Sequence, residues 1–307
     1  MRVLYVGGKG RSGSTLLDRL LGQLDGFFST GELHRVWTWG WLAGARCGCG
    51  APVPSCEVWS AVAADPALAP WDPAGVAAAE RRVLRWSRLP VLLTRPPGSV
   101  TSWPALRDYT AAMAALYRAV ARVTGARVIV DSSKHPAGPG LLGLVPGVHG
   151  HVVHLVRDPR AVAHSWRRPR SFEGAGASEA MPTHAPLHSA ASWLARNTAM
   201  EALRPRYPAA RWLRLRYEDL VARPRPTLQR LAALVGEHPA RLPLSTGHTA
   251  ELAPTHAVGG NPGKFRTGPV SLRDDDEWRT ALPAADRWLV TAFDLPLLGR
   301  YGYRARV

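Results

Sequence analysis

Residues 8 to 15 read Gly-Lys-Gly-Arg-Ser-Gly-Ser-Thr, and this stretch decides the fold of the chain. It has the frame of a phosphate-binding P-loop, with Gly8, four residues, Gly13 and then a Ser-Thr pair. Residues 2–6 are mostly apolar and predict a strand, whereas residues 15–24 have leucines at helical spacing. The glycines therefore lie between a strand and a helix, where backbone N–H groups and the helix N-terminus point at one anion.

The loop differs from that of a nucleoside triphosphatase at one position, because Ser14 stands where that class has a lysine. That lysine reaches the β- and γ-phosphates, so without it a doubly charged terminal phosphate is poorly compensated. The sequence therefore favours a smaller terminal charge. A kinase-like phosphotransferase remains the alternative.

A second anion site is predicted far along the chain. Residues 151–156 read as a buried strand, and Arg157-Asp158-Pro159-Arg160 opens a helix that contains Ser165. An arginine at a strand end binds a phosphate bidentately, and a serine adds a hydroxyl donor. Two separate anion sites on one sheet indicate a nucleotide that is phosphorylated at two places.

These motifs resemble the sulfotransferases that use 3′-phosphoadenosine 5′-phosphosulfate (PAPS) as donor. Residues 11–15 are similar to the Arg-Ser-Gly-Ser/Thr-Thr form of carbohydrate and tyrosylprotein sulfotransferases and their bacterial relatives, and Arg157 and Ser165 have the spacing of the 3′-phosphate site. Arg266-Thr267-Gly268 resembles the late segment that closes over that phosphate, and residues 217–220, Tyr-Glu-Asp-Leu, resemble another recurrent segment. The resemblance implies that the nucleotide is bound by the following residues: Gly10, Arg11, Ser12, Gly13, Ser14, Thr15, Arg157, Ser165, Lys264, Arg266, Thr267 and Gly268.

The same resemblance implies direct transfer of a sulfuryl group to an acceptor hydroxyl, with adenosine 3′,5′-bisphosphate (PAP) as product and no metal. Arg11 and Lys134 are expected to stabilise the leaving group. Glu32, in a Gly-Glu pair like that of tyrosylprotein sulfotransferases, is the first choice for the base, with a pKa raised toward neutrality by burial. We expect Glu32 and Lys134 on opposite sides of the sulfuryl group. His135 is the alternative base, although a residue directly after Lys134 turns the other way on an extended backbone.

Composition agrees with a phosphate-binding protein, because the chain has 36 arginines but only three lysines, Lys9, Lys134 and Lys264. Each lysine lies in or beside a predicted phosphate or sulfate contact, where ammonium and guanidinium groups are least interchangeable. The net charge is +16, yet the arginines are dispersed and no nucleic-acid-binding motif is present, so no nucleic-acid partner is expected. A non-catalytic nucleotide- or polyanion-binding protein stays open.

The alternation of segments predicts one α/β domain over residues 1–307, a three-layer α/β/α fold around a parallel sheet. Strands are expected at 2–6, 126–130, 151–156 and 211–216, and helices at 105–123 and 188–203. With the first strand at residue 2 and no apolar run near the roughly 18 residues of a membrane span, we expect no signal peptide, no membrane partner and a cytoplasmic location. The acceptor is expected to be a small molecule, and the oligomeric state is left open, a homodimer included.

Irregular stretches near 38–73, 167–186 and 253–270 interrupt the alternation, and substrate specificity is expected there. The first contains Cys47, Cys49 and Cys56, whose spacing is not a usual zinc pattern. A metal would need a fourth ligand, with His34 as a candidate, so free thiols and no metal are expected.

Three tryptophans, Trp37, Trp39 and Trp41, alternate just after Glu32. In an extended conformation they share one face. Core packing is expected for at least two of them, and their position allows an aromatic wall for the acceptor.

Overall fold

The computed structural model of the protein describes residues 1–96, 102–169 and 182–305. Its central sheet has five parallel strands in the order β2-β3-β1-β4-β5. Two further strands, β6 and β7, follow later in the chain and form a separate two-stranded antiparallel hairpin. The strands are β1 Arg2–Gly8, β2 Phe27–Ser29, β3 Val128–Asp131, β4 His149–Val156, β5 Trp212–Arg216, β6 Thr249–Leu252 and β7 Gly268–Ser271.

Helices cover both faces of the sheet, because its central strands are apolar on both sides. In β1, Leu4 and Val6 pack with the leucines of the first helix, whereas Val3 and Tyr5 pack on the opposite side with the long helix over residues 104–124. The helices are α1 Ser14–Leu21, α2 Glu57–Ala63, α3 Pro73–Val83, α4 Leu89–Thr94, α5 Pro104–Thr124, α6 Gly138–Leu142, α7 Pro159–Arg167, α8 Pro186–Leu203, α9 Tyr217–Ala222, α10 Pro224–Leu234, α11 Trp278–Ala281 and α12 Ala284–Leu298.

The parallel sheet and its flanking helices confirm the predicted fold class. The four predicted strands correspond to β1, β3, β4 and β5, and the two long predicted helices to α5 and α8. The sequence analysis missed β2, which has only three residues, and the β6–β7 hairpin. The parallel register places the ends of β1, β2, β3 and β4 at one edge of the sheet, where ligands bind in folds of this kind.

The three stretches expected to be irregular have different structures. Residues 38–73 contain most of a π-helical segment, Trp37–Leu42, and α2, so this stretch is more regular than expected. Most of 167–186 lies outside the described residues. The segment 253–270 contains a short 3₁₀ turn, Pro262–Phe265, and leads into β7.

A search of the described helices for a membrane span was negative, since none combines the necessary length with sufficient apolar character.

Candidate active site

The glycine-rich loop leaves β1 at Gly8 and enters α1 at Ser14. Gly13 has φ 88°, and a Cβ atom at this position would lie 2.3 Å from the ring of Tyr217. Only glycine allows both the left-handed backbone and this close approach. The Tyr217 segment therefore supports the loop directly, which gives the Tyr-Glu-Asp-Leu sequence a physical role.

Two residues of the predicted catalytic set have unusual backbones. Arg11 has φ 71° and Lys134 has φ 58°, and no other described residue except glycine has a positive φ. Such conformations are costly for side chains with a Cβ and persist where the surroundings impose them, often at functional sites. Each follows the end of a neighbouring strand, β1 or β3, so the strain is concentrated at one edge of the sheet.

A cleft of about 230 Å³ at this edge joins the two predicted phosphate sites. Its walls include residues from four separate segments of the predicted set: Arg11, Gly13, Thr15, Arg157, Ser165 and Arg266. The remaining lining residues were not predicted from the sequence: Leu16, Arg19, Tyr217, Leu252, Asn261, Gly263, Val270 and Asp275. The sequence motifs therefore meet in space although they span more than 250 positions of the chain.

Arg157 is 95% buried in this cleft and is already paired. Its Nη2 lies 2.9 Å from Oδ2 of Asp275, its Nη1 donates to the carbonyl of Arg11 at 3.2 Å, and its guanidinium lies 4.5 Å from the ring centre of Tyr217. Its Nε is buried without a hydrogen-bond partner among the described residues. Burial by itself raises the pKa of Asp275, but the hydrogen bond and charge of Arg157 hold this pKa below its ordinary value.

The helix after Arg157 is built as the sequence predicted. Asp158 caps α7 by accepting from the backbone N–H of Arg160, and its own N–H donates to Glu218 at 3.0 Å. Pro159 occupies the first helical position, where its missing N–H costs nothing. Ser165 is buried on this helix and reaches the cleft.

Arg19 was not predicted, although it closes the cleft from the α1 side. Its guanidinium donates to the carbonyls of Gly263 at 2.9 Å and Ala253 at 3.2 Å, so α1 holds both ends of the 253–263 segment. The available signal in the sequence was an Asp-Arg pair, Asp18 and Arg19, between the leucines of this helix.

Glu32 and Lys134 form an ion pair with 2.7 Å between Oε1 and Nζ. Lys134 also donates to the Ser132 carbonyl at 3.0 Å, and the N–H of Gly260 donates to the same Glu32 oxygen at 3.2 Å. A Cβ on Gly260 would lie 3.6 Å from Oγ1 of Thr15, so the pair adjoins the start of α1. The expected placement on opposite sides of a transferred group does not describe this arrangement, because the two side chains touch.

The pKa of Glu32 also differs from the expectation. Burial alone raises this pKa, but the ammonium of Lys134 and the nearby charge of Arg35 outweigh burial and hold it below the ordinary glutamate value. The expected upward shift is therefore wrong for the ion-paired state. Glu32 is an ionised, accepting carboxylate at neutral pH.

A glycine sets the position of Glu32. Gly31 has φ 69°, and a Cβ there would lie 2.4 Å from the carbonyl of Val258. The N–H of Glu32 donates to the same carbonyl at 2.7 Å, and the N–H of Val258 donates to Thr30 at 2.8 Å. The Gly-Glu pair is thus the point where the distal 253–270 segment is hydrogen-bonded to the end of β2.

His135 is poorly placed to act as the base. Its Nδ1 accepts from the N–H of Ala137 at 3.2 Å, and its ring is also hydrogen-bonded to the backbone of Leu84. Burial, together with the charges of Arg196 and Arg35, lowers the pKa of His135 to about 4. The side chain lines a separate cavity of about 40 Å³, which agrees with the expected turn away from Lys134.

Several residues of the loop are shielded from solvent. Ser12 is 99% buried, and its hydroxyl has no hydrogen-bond partner within the described ranges. Ser14 is buried at the first position of α1, and the Gly10 carbonyl accepts from Nε1 of Trp166 at 3.2 Å. Lys9 lies 4.8 Å above the same indole and donates to Ser192, so it stiffens the loop from outside the cleft.

Six predicted nucleotide contacts do not line the cleft: Gly10, Ser12, Ser14, Lys264, Thr267 and Gly268. Lys264 is 95% buried and donates to the Arg46 carbonyl at 2.6 Å, which turns it toward the cysteine loop. Thr267 and Gly268 follow Arg266 at the entrance to β7 and are absent from the cleft walls. Of the late segment, Arg266 alone among the predicted contacts reaches the cleft.

The tryptophans occupy the π-helical segment rather than an extended one. Trp37 is buried and packs edge-to-face with Trp41 at 4.9 Å, as expected for core residues. Trp39 is 42% exposed and lies 4.2 Å from the guanidinium of Arg35, whose Nε is 3.8 Å from Glu32. One exposed aromatic side chain, not three, therefore stands near the carboxylate.

The comparisons with known proteins agree with this geometry. The sulfotransferase domain of the olefin synthase of Synechococcus PCC 7002 has 19% identity and a TM-score of 0.52, and the match covers 97% of this chain and 94% of that one. The sulfotransferase domain from the curacin biosynthetic pathway has 18% identity and a TM-score of 0.53, with 98% and 97% covered. At these identities the similarity shows the fold. No curated protein matches the chain.

A model of the sulfotransferase family matches residues 4–238, which include most of β1, all of β2 to β5 and the glycine-rich loop. The chain belongs to the sulfotransferase family.

Proposed function

We propose that the protein transfers a sulfuryl group from PAPS to a hydroxyl of a small-molecule acceptor and releases PAP. The supporting observation is the single cleft in which the α1 loop meets Arg157, Ser165 and Arg266. A nucleotide with phosphates at two positions matches two anion sites that face one space.

The residues present fit such a nucleotide. The buried hydroxyl of Ser12 and the buried Nε of Arg157 are donors without partners in the described structure, and buried donors of this kind are rare unless a ligand completes them. The Ser14 hydroxyl replaces the P-loop lysine, so the loop is suited to a 5′-phosphate with a singly charged sulfuryl group. Bound PAPS supplies an activated sulfuryl group on a phosphosulfate linkage.

Each group of residues has a proposed role that follows from its position. The loop N–H groups and the α1 N-terminus hold the 5′-phosphate, and Arg157, Ser165 and Arg266 hold the 3′-phosphate. Arg11 and Lys134 stabilise the charge that develops on the leaving oxygen. Their strained backbones fix the points at the edge of the sheet from which these cationic side chains reach the donor.

Glu32 accepts the acceptor proton, and Lys134 controls how well it does so. In the ion pair, the ammonium holds the pKa of Glu32 low and makes the carboxylate a weak base. When Lys134 turns toward a sulfuryl group, burial dominates and the pKa of Glu32 rises. The base is thereby activated only while the donor is present.

The acceptor is proposed to approach beside Trp39 and Arg35, because these side chains adjoin Glu32. An exposed indole offers stacking area to an apolar or ring-containing molecule. The hydroxyl then reaches the carboxylate from the side opposite Gly260, whose N–H holds the other part of Glu32.

The test is a search for turnover in Mg²⁺-free buffer. The purified protein is incubated with PAPS and a small-molecule extract, and products are searched by mass spectrometry for the gain of one sulfo group, with PAP release measured in parallel. Lys134→Met is the matched control with strongly reduced turnover, because it keeps much of the side-chain volume and removes the charge. Sulfated products that require Lys134 support the proposal.

The alternatives give different results. A kinase-like enzyme shows phosphorylated products with ATP and Mg²⁺ and none with PAPS. A non-catalytic binding protein binds PAP but releases none from PAPS with any extract. Either outcome contradicts the proposed transfer.

A further inference from the structure

We infer that Cys47, Cys49, Cys56 and His256 form a structural zinc site. Their four ligand atoms, three Sγ and one His Nδ1, all lie within 4.8 Å of one another. Cys56 is the centre of the cluster, with its Sγ 3.6 Å from that of Cys47, 3.7 Å from that of Cys49 and 3.2 Å from Nδ1 of His256. The Cys47 sulfur is 3.9 Å from the same nitrogen.

Four of the six separations are close to the edges of a tetrahedron around one metal ion, and all six lie within 4.8 Å, so a small inward movement of the side chains would complete the site. Zn–S bonds of about 2.3 Å and Zn–N bonds of about 2.0 Å place two sulfurs about 3.8 Å apart and a sulfur and nitrogen about 3.5 Å apart. The observed sulfur pairs differ from this by small amounts, and the two sulfur–nitrogen distances bracket it. Three thiolates and an imidazole also form a closed set with no position for substrate, which is the pattern of structural zinc.

Disulfide bonding does not account for the cluster. All three cysteines are free, and the sulfur separations of 3.6 Å and 3.7 Å are far longer than a bond of about 2.0 Å. Three cysteines would also leave one thiol over. The histidine, which comes from a segment 200 residues away from Cys56, has no role in a set of packed thiols but completes a metal site.

The backbone around the cysteines forms a compact loop that aims the sulfurs inward. The N–H of Cys47 donates to Ala51 at 2.8 Å, and the N–H of Gly50 donates back to Cys47 at 2.9 Å. The N–H of Gly48 donates to Ala257 at 3.0 Å, and a Cβ on Gly48 would lie 2.5 Å from the Thr255 carbonyl. The cysteine loop is therefore docked on the segment that supplies the histidine.

The histidine is oriented by its surroundings. Nε1 of Trp59 donates to the His256 carbonyl at 2.7 Å, and the imidazole stacks on Phe28 with 6.2 Å between ring centres. Nδ1 is the ring nitrogen that faces the sulfurs, so a metal would bind there and the proton of the neutral ring would then be on Nε2. The His34 ligand considered from the sequence is wrong, because His34 is not in the cluster and lines the small cavity near Tyr5.

The position of the cluster indicates a structural role for the metal near Glu32. Val258, two residues after His256, forms the bridge to Gly31 and the hydrogen bond to Glu32, and Gly260 donates to the Glu32 carboxylate. A zinc ion fastens His256 to the cysteine loop and thus holds this segment against the candidate base. The ion supports the site from outside the cleft, and its presence does not depend on the proposed donor.

The metal content of the full chain tests the inference without any assay of turnover. The protein is purified, dialysed against zinc-free buffer and measured by inductively coupled plasma mass spectrometry. Binding deprotonates the thiols, so the metal is retained near neutral pH and released in acid. We expect one zinc per chain. A chain that retains no zinc and takes up none when Zn²⁺ is added back overturns the inference.

Matched variants identify the ligands. Cys49→Ser changes the exposed cysteine and His256→Ala changes the histidine, and we expect each to retain at least about tenfold less zinc than the wild type after dialysis. His34→Ala is the control, with zinc content unchanged. Equal zinc in His34→Ala and His256→Ala contradicts the assignment of the fourth ligand.

Cobalt substitution in the wild type keeps the inference testable if a variant fails to fold. Co²⁺ in this set gives intense tetrahedral visible bands and thiolate-to-cobalt charge transfer, whereas weak octahedral bands overturn the site. Hydrogen exchange tests the fastening role, since zinc removal should speed amide exchange at residues 255–260. Unchanged exchange there overturns that role.

Discussion

Separate substitutions of Arg157 and its partner Asp275 test the proposed 3′-phosphate site, because the first should weaken PAP binding and the second should strengthen it. Arg157→Ala removes a charge-assisted contact, which is typically worth about 1.5–3 kcal/mol, or roughly a tenfold to hundredfold loss of affinity. The same change leaves the Asp275 carboxylate facing the phosphate without compensation, so we expect PAP binding to weaken by about a hundredfold. Adenosine 5′-monophosphate, which lacks the 3′-phosphate, should lose less than about threefold.

Asp275→Asn should have the opposite effect, because Asp275 competes with the phosphate for the guanidinium at 2.9 Å. Two unit charges about 5 Å apart interact by about 3 kcal/mol at an effective dielectric of about 20. The Asp275 side chain is 35% exposed, so solvent screening reduces this to about 1 kcal/mol. We expect PAP affinity to rise about fivefold at low salt, with adenosine 5′-monophosphate unaffected.

Isothermal titration calorimetry of both nucleotides against wild type, Arg157→Ala, Arg157→Lys, Asp275→Asn and the double variant completes the cycle. Arg157→Lys keeps the charge but loses the bidentate geometry of the guanidinium, so its PAP affinity should lie between those of the wild type and Arg157→Ala. Because Arg157 also donates to the Arg11 carbonyl, a general disturbance of the loop is the competing explanation. Equal losses for PAP and adenosine 5′-monophosphate in Arg157→Ala would refute the assignment to the 3′-phosphate.

Three further predictions follow from the same geometry. Lys134→Met should move the acid limb of kcat/KM to higher pH, since burial then raises the pKa of Glu32 with only the smaller effects of His34 and Arg35 opposing it. An acid limb that stays in place while His135→Ala moves it makes His135 the base. Gly13→Ala should lower the free energy of unfolding, measured in urea, by at least about 1–3 kcal/mol. The backbone has φ 88°, and an added Cβ atom would lie 2.3 Å from the Tyr217 ring. An unchanged urea midpoint contradicts this prediction. Asp294→Asn should raise Tm at about pH 9 but little at about pH 5. Burial raises the pKa of Asp294 to about 8, so the folded wild type loses stability as pH rises toward that value. A gain in Tm at about pH 5 instead of about pH 9 contradicts this direction of the pKa shift.

The fold was predictable because the sequence patterns that indicate its main strands and helices are local. In β1 and β4, an apolar strand, a loop and a helix start follow one another within about twenty residues, and each segment has its own periodicity. β2 escaped because three residues show no alternation, and its pairing with β3 depends on a neighbour 100 residues away.

The site was predictable where a motif specifies a residue type and was not where two distant segments meet. Arg157 follows from its strand end, but its partner Asp275 lies 118 positions later, within a short acidic run that has no distinctive pattern. The contact between Glu32 and Lys134 depends on β2 lying beside β3, so it could not be predicted from the two motifs that contain these residues. The pKa of Glu32 was mispredicted for the same reason, since its sign is decided by that contact.

The most direct test of the central claim is calorimetric titration of the wild-type protein with PAP, adenosine 5′-monophosphate and ATP in the absence of Mg²⁺, repeated for ATP with Mg²⁺. If the cleft joins a 5′-phosphate site to a 3′-phosphate site, PAP binds without metal and at least about tenfold more tightly than adenosine 5′-monophosphate. Tight binding of ATP with Mg²⁺ together with no preference for PAP would contradict the assignment of the cleft to a doubly phosphorylated sulfuryl donor.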